Sequence, residues 1–113
     1  MSRFRSGVLH GEEVAALFDD AQERGYALPA VNIIGTNSLN ATLETAASVG
    51  SPVIVQLSNG GAAFYAGKSL KLDHQAGAVH GSVSAALYVH EMAKAYGVPV
   101  VLHTDHCARK LLP

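Results

Sequence analysis

The sequence predicts an α/β fold built on a parallel sheet, and three observations carry that prediction. First, three segments follow one grammar: Arg24–Ile33 (RGYALPAVNI), Val49–Gly61 (VGSPVIVQLSNGG) and Tyr96–His106 (YGVPVVLHTDH). Each has an early glycine (Gly25, Gly50, Gly97), then a proline (Pro29, Pro52, Pro99), then an apolar run that closes on polar residues. Second, the stretches between them have helical periodicity, so the order reads α-β-α-β-α-β, the pattern of parallel strands joined by right-handed crossovers. Third, only 15% of the 113 residues are charged against 49% hydrophobic. The average charged fraction is about 25%, and a shortfall of this kind suits strands buried on both faces.

Each element has its own reason. Glu12–Arg24 sets Val14, Leu17, Phe18 and Ala21 at helical spacing, with acidic residues in the first turn and Arg24 in the last, matching the helix dipole. Gly25, Gly50 and Gly97 are left-handed stop residues after helices. Pro29, Pro52 and Pro99 stand where a strand begins and no ladder donor is needed. Asn37 or Ser38 caps a second helix through Ser48, with Leu39, Leu43 and Ala46/Ala47 inward. Val53-Ile54-Val55 and Val98–Leu102 are too continuously apolar for half-exposed strands. Gly60–Asp73 reads as a long loop of the kind that carries function. Gln75–Tyr96 reads as a third helix with Val79, Val83, Leu87, His90 and the Ala93 side on one buried stripe and Lys94 facing water.

Composition removes several classes of function. The net charge of −1 offers no basic field for nucleic acid or an anionic membrane. Cys107 is the one cysteine, so no intrachain disulfide forms, and the residue is expected to be small and packed. The N-terminal MSRFRSGVLHGEE has no signal-peptide core, and no apolar run nears the ~20 residues that span a bilayer. The expectation is a soluble cytoplasmic protein with no nucleic-acid or membrane partner. The length suits one domain, residues 1–113.

In parallel α/β folds ligands bind at the carboxyl ends of the strands. Asn32 ends the first strand, Gln56 and Ser58 the second, and His103, Asp105 and His106 the third. Three polar strand ends in succession suggest one rim around one pocket. His106 is either a zinc ligand or a terminal imidazole bonded to backbone. Asp105 is either a proton-transfer carboxylate or the cap of a helix starting near Ala108-Arg109-Lys110. Ser58-Asn59-Gly60-Gly61 either presents N–H groups and a hydroxyl to a phosphate or is an ordinary glycine turn. Asn32 is either a site residue or the start of a turn. Lys68, Lys71, Lys94 and Lys110 fall in loops or on helices, which disfavours a Schiff-base mechanism. His10, His74, His80 and His90 are surface or packing residues.

ALPAVN, PVIVQLSNGGAAFYAGK and GVPVVLHTDHCARKLLP, in that order, resemble the N-terminal part of the class II, metal-dependent fructose-bisphosphate aldolases, from about Gly7 to Pro113. The resemblance implies a TIM (β/α)8 barrel, of which this chain holds about three β/α units and is incomplete. It implies reversible aldol cleavage of fructose 1,6-bisphosphate to dihydroxyacetone phosphate and glyceraldehyde 3-phosphate, with Zn2+ as Lewis acid. It implies that His106 is one zinc ligand, that Asp105 is the acid/base, and that Asn32 and Ser58 help hold the ketose phosphate. His103 lies in the motif but is not counted as a ligand. A homodimer is implied for the full-length enzyme. Two other readings are a tagatose-bisphosphate aldolase, with the same metal and mechanism, and a non-catalytic binding module that kept the first third of the fold. One imidazole does not hold a catalytic zinc, so a truncated, inactive chain is expected.

Overall fold

The structure, a computed structural model, describes residues 3–113. Its elements in chain order are β1 (Gly7–Val8), α1 (Glu12–Arg24), β2 (Ala30–Asn32), α2 (Thr36–Val49), β3 (Val53–Leu57), α3 (Asn59–Ala66), α4 (Ala76–Tyr96), β4 (Pro99–Thr104) and a 3-10 turn (Arg109–Leu111). The four strands form one sheet in the order β1-β4-β3-β2. Every pairing is parallel. The predicted fold class therefore stands: a parallel sheet of β/α units, open rather than closed into a barrel.

The glycine–proline grammar works as expected. Gly25, Gly50 and Gly97 end their helices with φ of 70°, 67° and 73°, the left-handed region that side chains with a Cβ enter at a cost. Pro29 and Pro52 directly precede β2 and β3, and Pro99 opens β4.

The sheet has two different faces because side chains alternate along a strand. Val31, Ile33, Val53, Val55, Leu57, Val100 and Leu102 look toward α2 and α4, where Leu39, Leu43, Ala46, Ala85, Val89 and Ala93 meet them in the main core. Ile54 and Val101 look the other way, into a smaller cluster with Leu9 and with Val14 and Leu17 of α1. That cluster covers only the amino-terminal half of this face.

The structure differs from the sequence reading in five places. The helix-forming run that closes on AAFYA, capped by Ser58, folds as α3 inside what reads as a loop. Helix α2 starts at Thr36 with Gly35 as its cap, so neither Asn37 nor Ser38 is the cap. Ser38 sits one turn in, and its hydroxyl accepts from the Ile34 and Gly35 N–H groups. Strand β1 was not foreseen, being two residues whose pairing with β4 no local pattern announces. Cys107 is exposed rather than packed.

The buried stripe of α4 is the fifth difference. Ala78, Gly81, Ala85, Val89 and Ala93 face inward, while Val79, Val83 and Leu87 are 56%, 54% and 67% exposed. Close approach decides this. A Cβ on Gly81 would lie 1.8 Å from the Ala62 carbonyl oxygen of α3, so only the small-residue face of α4 fits against its neighbour.

Candidate active site

Backbone register assembles the site before any side chain acts. Asn32 on β2 is level with Gln56 on β3, and Gln56 is level with His103 on β4. Residues at the same level of adjacent strands share a face and lie within reach of each other. All three sit on the face opposite the main core, beyond the part that α1 covers. Asp105 lies two residues past His103, and its N–H donates to the Leu57 carbonyl (2.8 Å), extending the pairing one step beyond β4.

The side chains join in a continuous row. Asn32 Nδ2 is 3.4 Å from Asp105 Oδ2. Gln56 Nε2 donates to Asn32 Oδ1 at 2.8 Å. Gln56 Oε1 lies 3.1 Å from His103 Nδ1. The Asp105 carboxyl is held below the usual carboxylate range, first by the His106 backbone N–H (2.8 Å to Oδ1) and next by the Asn32 amide, against a smaller opposing effect of desolvation. It is therefore ionised at neutral pH and able to accept a proton.

Ser58 caps α3, its Oγ accepting from the Gly61 N–H at 2.9 Å. Ser58 also shares a cleft of about 330 Å³ with Asp105, His106, Ala78, Val83 and Thr104. A second cleft of about 420 Å³, at the amino ends of β2 and β3, is lined mainly by apolar groups such as Pro29, Val31, Val49 and Val53, with Thr42, Thr45 and Ser51 beside them and no titratable side chain.

The predicted site residues thus converge. Asn32 and Asp105 touch, and Ser58 and His106 flank the same cleft. Asp105 is not a helix cap, since Ala108 precedes the 3-10 turn and makes no side-chain cap. Gln56 and His103, polar strand ends in the sequence without a chemical role of their own, belong to the row. The signal was available: they stand at the same step of their strands as Asn32.

His106 is 87% exposed, with Nδ1 3.3 Å from Asp105 Oδ1. Among the described residues no group of three or more His, Cys, Asp or Glu side chains is arranged to hold a metal ion. A catalytic zinc requires about three protein ligands, so these residues alone do not fit one.

A parallel β/α sheet with its polar side chains gathered at the carboxyl ends of the strands has the ground plan of the β/α enzymes. Comparison narrows the class. Residues 12–111 match the family model described as fructose-bisphosphate aldolase class-II. The chain is 59% identical over 110 residues to fructose-bisphosphate aldolase class 2 of Escherichia coli (strain K12), covering 96% of this chain and 31% of that protein. It is 50% identical over 109 residues to a fructose-bisphosphate aldolase of Candida albicans, covering 96% and 30%. The crystal structure of fructose-bisphosphate aldolase from Campylobacter jejuni superposes with a TM-score of 0.88 at 56% identity, over 95% of this chain and 30% of that one. The chain belongs to the class II fructose-bisphosphate aldolase family. It spans about a third of the length of the relatives it matches.

Proposed function

We propose that residues 1–113 form the N-terminal portion of a class II aldolase barrel and carry part of an active site that cleaves fructose 1,6-bisphosphate reversibly into dihydroxyacetone phosphate and glyceraldehyde 3-phosphate. The single observation that carries this is the row at the strand ends in which the Asn32 amide faces the Asp105 carboxyl, in a chain whose relatives bear the aldolase name. Those names favour the fructose over the tagatose bisphosphate.

In this reading Asp105 accepts the hydroxyl proton as the carbon–carbon bond breaks and returns it in the condensation direction. Asn32 and Ser58 hold the ketose phosphate, with the N–H groups at the start of α3 beside the Ser58 hydroxyl. His106 supplies one zinc ligand, and the remaining ligands come from the rest of the barrel. When bound, zinc supplies Lewis-acid polarisation of the substrate ketone. The full-length protein works as a cytoplasmic homodimer in glycolysis. Among the described residues no helix is long and apolar enough to cross a membrane.

The test is a chimera in which this chain replaces the matching third of the Escherichia coli relative. The chimera is expected to bind zinc stoichiometrically and to cleave fructose 1,6-bisphosphate. Asp105→Asn is expected to keep the zinc and lose turnover by 10²–10⁴-fold, the usual contribution of a positioned acid/base. His106→Ala is expected to lose the zinc. A folded, zinc-loaded chimera without turnover overturns the reading.

A further inference from the structure

We propose that Gln56 is a positioning residue, which passes the orientation set by the Asp105 carboxylate through Asn32 to His103 and fixes His103 as the Nδ1–H tautomer. The inference rests on the site assignment above and deepens it.

Donor and acceptor polarity runs along the row in one direction. At the Asp105 end the Asn32 amide nitrogen Nδ2 faces Oδ2 at 3.4 Å, which turns Asn32 Oδ1 toward Gln56. That oxygen requires a donor, so Gln56 presents Nε2 at 2.8 Å. A carboxamide has one accepting end and one donating end. With Nε2 committed, Oε1 is what faces His103, at 3.1 Å from Nδ1. Oxygen accepts, so Nδ1 carries the proton of the neutral ring and Nε2 keeps its lone pair. Reversing any one amide sets two acceptors or two donors against each other at a neighbouring step. The row therefore has one direction, fixed at the Asp105 end.

Two consequences follow. Gln56 touches neither Asp105 nor the cleft beside it, yet it keeps Asn32 turned so that its amide faces the carboxylate. His103 Nε2 has no partner among the described residues and stands ready to accept a hydrogen bond from a sugar hydroxyl. Both effects vanish if the carboxamide is replaced by an apolar chain of equal length.

The chain itself, with 15N-labelled histidine, gives the first test. Long-range 1H–15N correlation at a pH where His103 is neutral is expected to show the Nδ1–H form predominating, and Gln56→Met is expected to redistribute the ring between tautomers. An Nε2–H ring in the unsubstituted chain, or a ring indifferent to Gln56→Met in a chain whose backbone spectrum is retained, overturns the inference. The chimera gives the second. Gln56→Met is expected to lower kcat about tenfold, the lower end of what outer-shell partners contribute. In an Asn32→Ala background the same change is expected to cost less than about twofold, because the effect travels through Asn32. Equal losses in both backgrounds overturn it. A chimera inactive before any substitution counts against the aldolase reading, and the tautomer measurement then decides the role of Gln56 alone.

Discussion

The two faces of the sheet are made by the same strands and do opposite work. On one, Val53, Val55 and Leu57 alternate inward against α2 and α4, and the core is apolar and buried. On the other, Ile54 and Gln56, taken from between those residues, run from a small apolar cluster under α1 to an open polar row. The difference teaches that stability and chemistry are separated here by parity along a strand. A residue's face, more than its position in the chain, sets what a substitution does.

The comparison is tested most severely at Gly81. Its Cβ would enter the Ala62 backbone, which cannot yield as a side-chain tip can. Gly81→Ala is expected to destabilise by about 3–4 kcal/mol, read as a lower urea midpoint at unchanged slope. A midpoint within the error of the unsubstituted chain would mean that α3 and α4 are not in contact as described.

Leu43→Ala, on the same packed side, removes a fully buried side chain. It is expected to cost about 2.5 kcal/mol, toward the lower end of such truncations because α2 borders the sheet edge. On the polar face, Asn32→Ala is expected to shift unfolding by less than about 0.5 kcal/mol, the usual range for exposed positions.

That same change is expected to move the Asp105 titration upward, since the Asn32 amide helps depress it. The sign is fixed by linkage. A depressed folded pKa contributes stability present above the unfolded pKa and lost as pH falls through the folded one. Acid unfolding of the Asn32→Ala chain is therefore expected to depend less on this carboxyl, checked by its 13C titration. A large loss of stability at neutral pH would erase the distinction between the faces.

Much of this was legible in sequence, for reasons that are local. The limits of α1 coincide with the predicted Glu12–Arg24 because charge, periodicity and Gly25 agree. The Gly and Pro positions bracket the strands through their own backbone preferences. Asn32, Ser58, Asp105 and His106 were visible as polar ends of apolar runs, and the structure gathers them around one rim. What stayed hidden depends on partners distant in sequence. The inward face of α4 is chosen by the proximity of α3, so the larger valines and Leu87 point out while alanines and Gly81 point in. Helix α3 rests on packing against α4, and β1 on an edge of β4 more than ninety residues away. Gln56 gained its place from register, which no single strand announces.

That register has a consequence for how such a chain can change over time. Deleting one residue between Pro52 and Ile54 would shift β3 by one step and carry Gln56 into the core while turning Val55 outward. Losing two would restore the alternation but leave the row one pair short of its neighbours. Length changes are thus expected to be tolerated outside the ladder, such as in residues 67–75 between α3 and α4. Substitutions along these strands act one side chain at a time, while a single insertion or deletion in them would exchange the two faces at once.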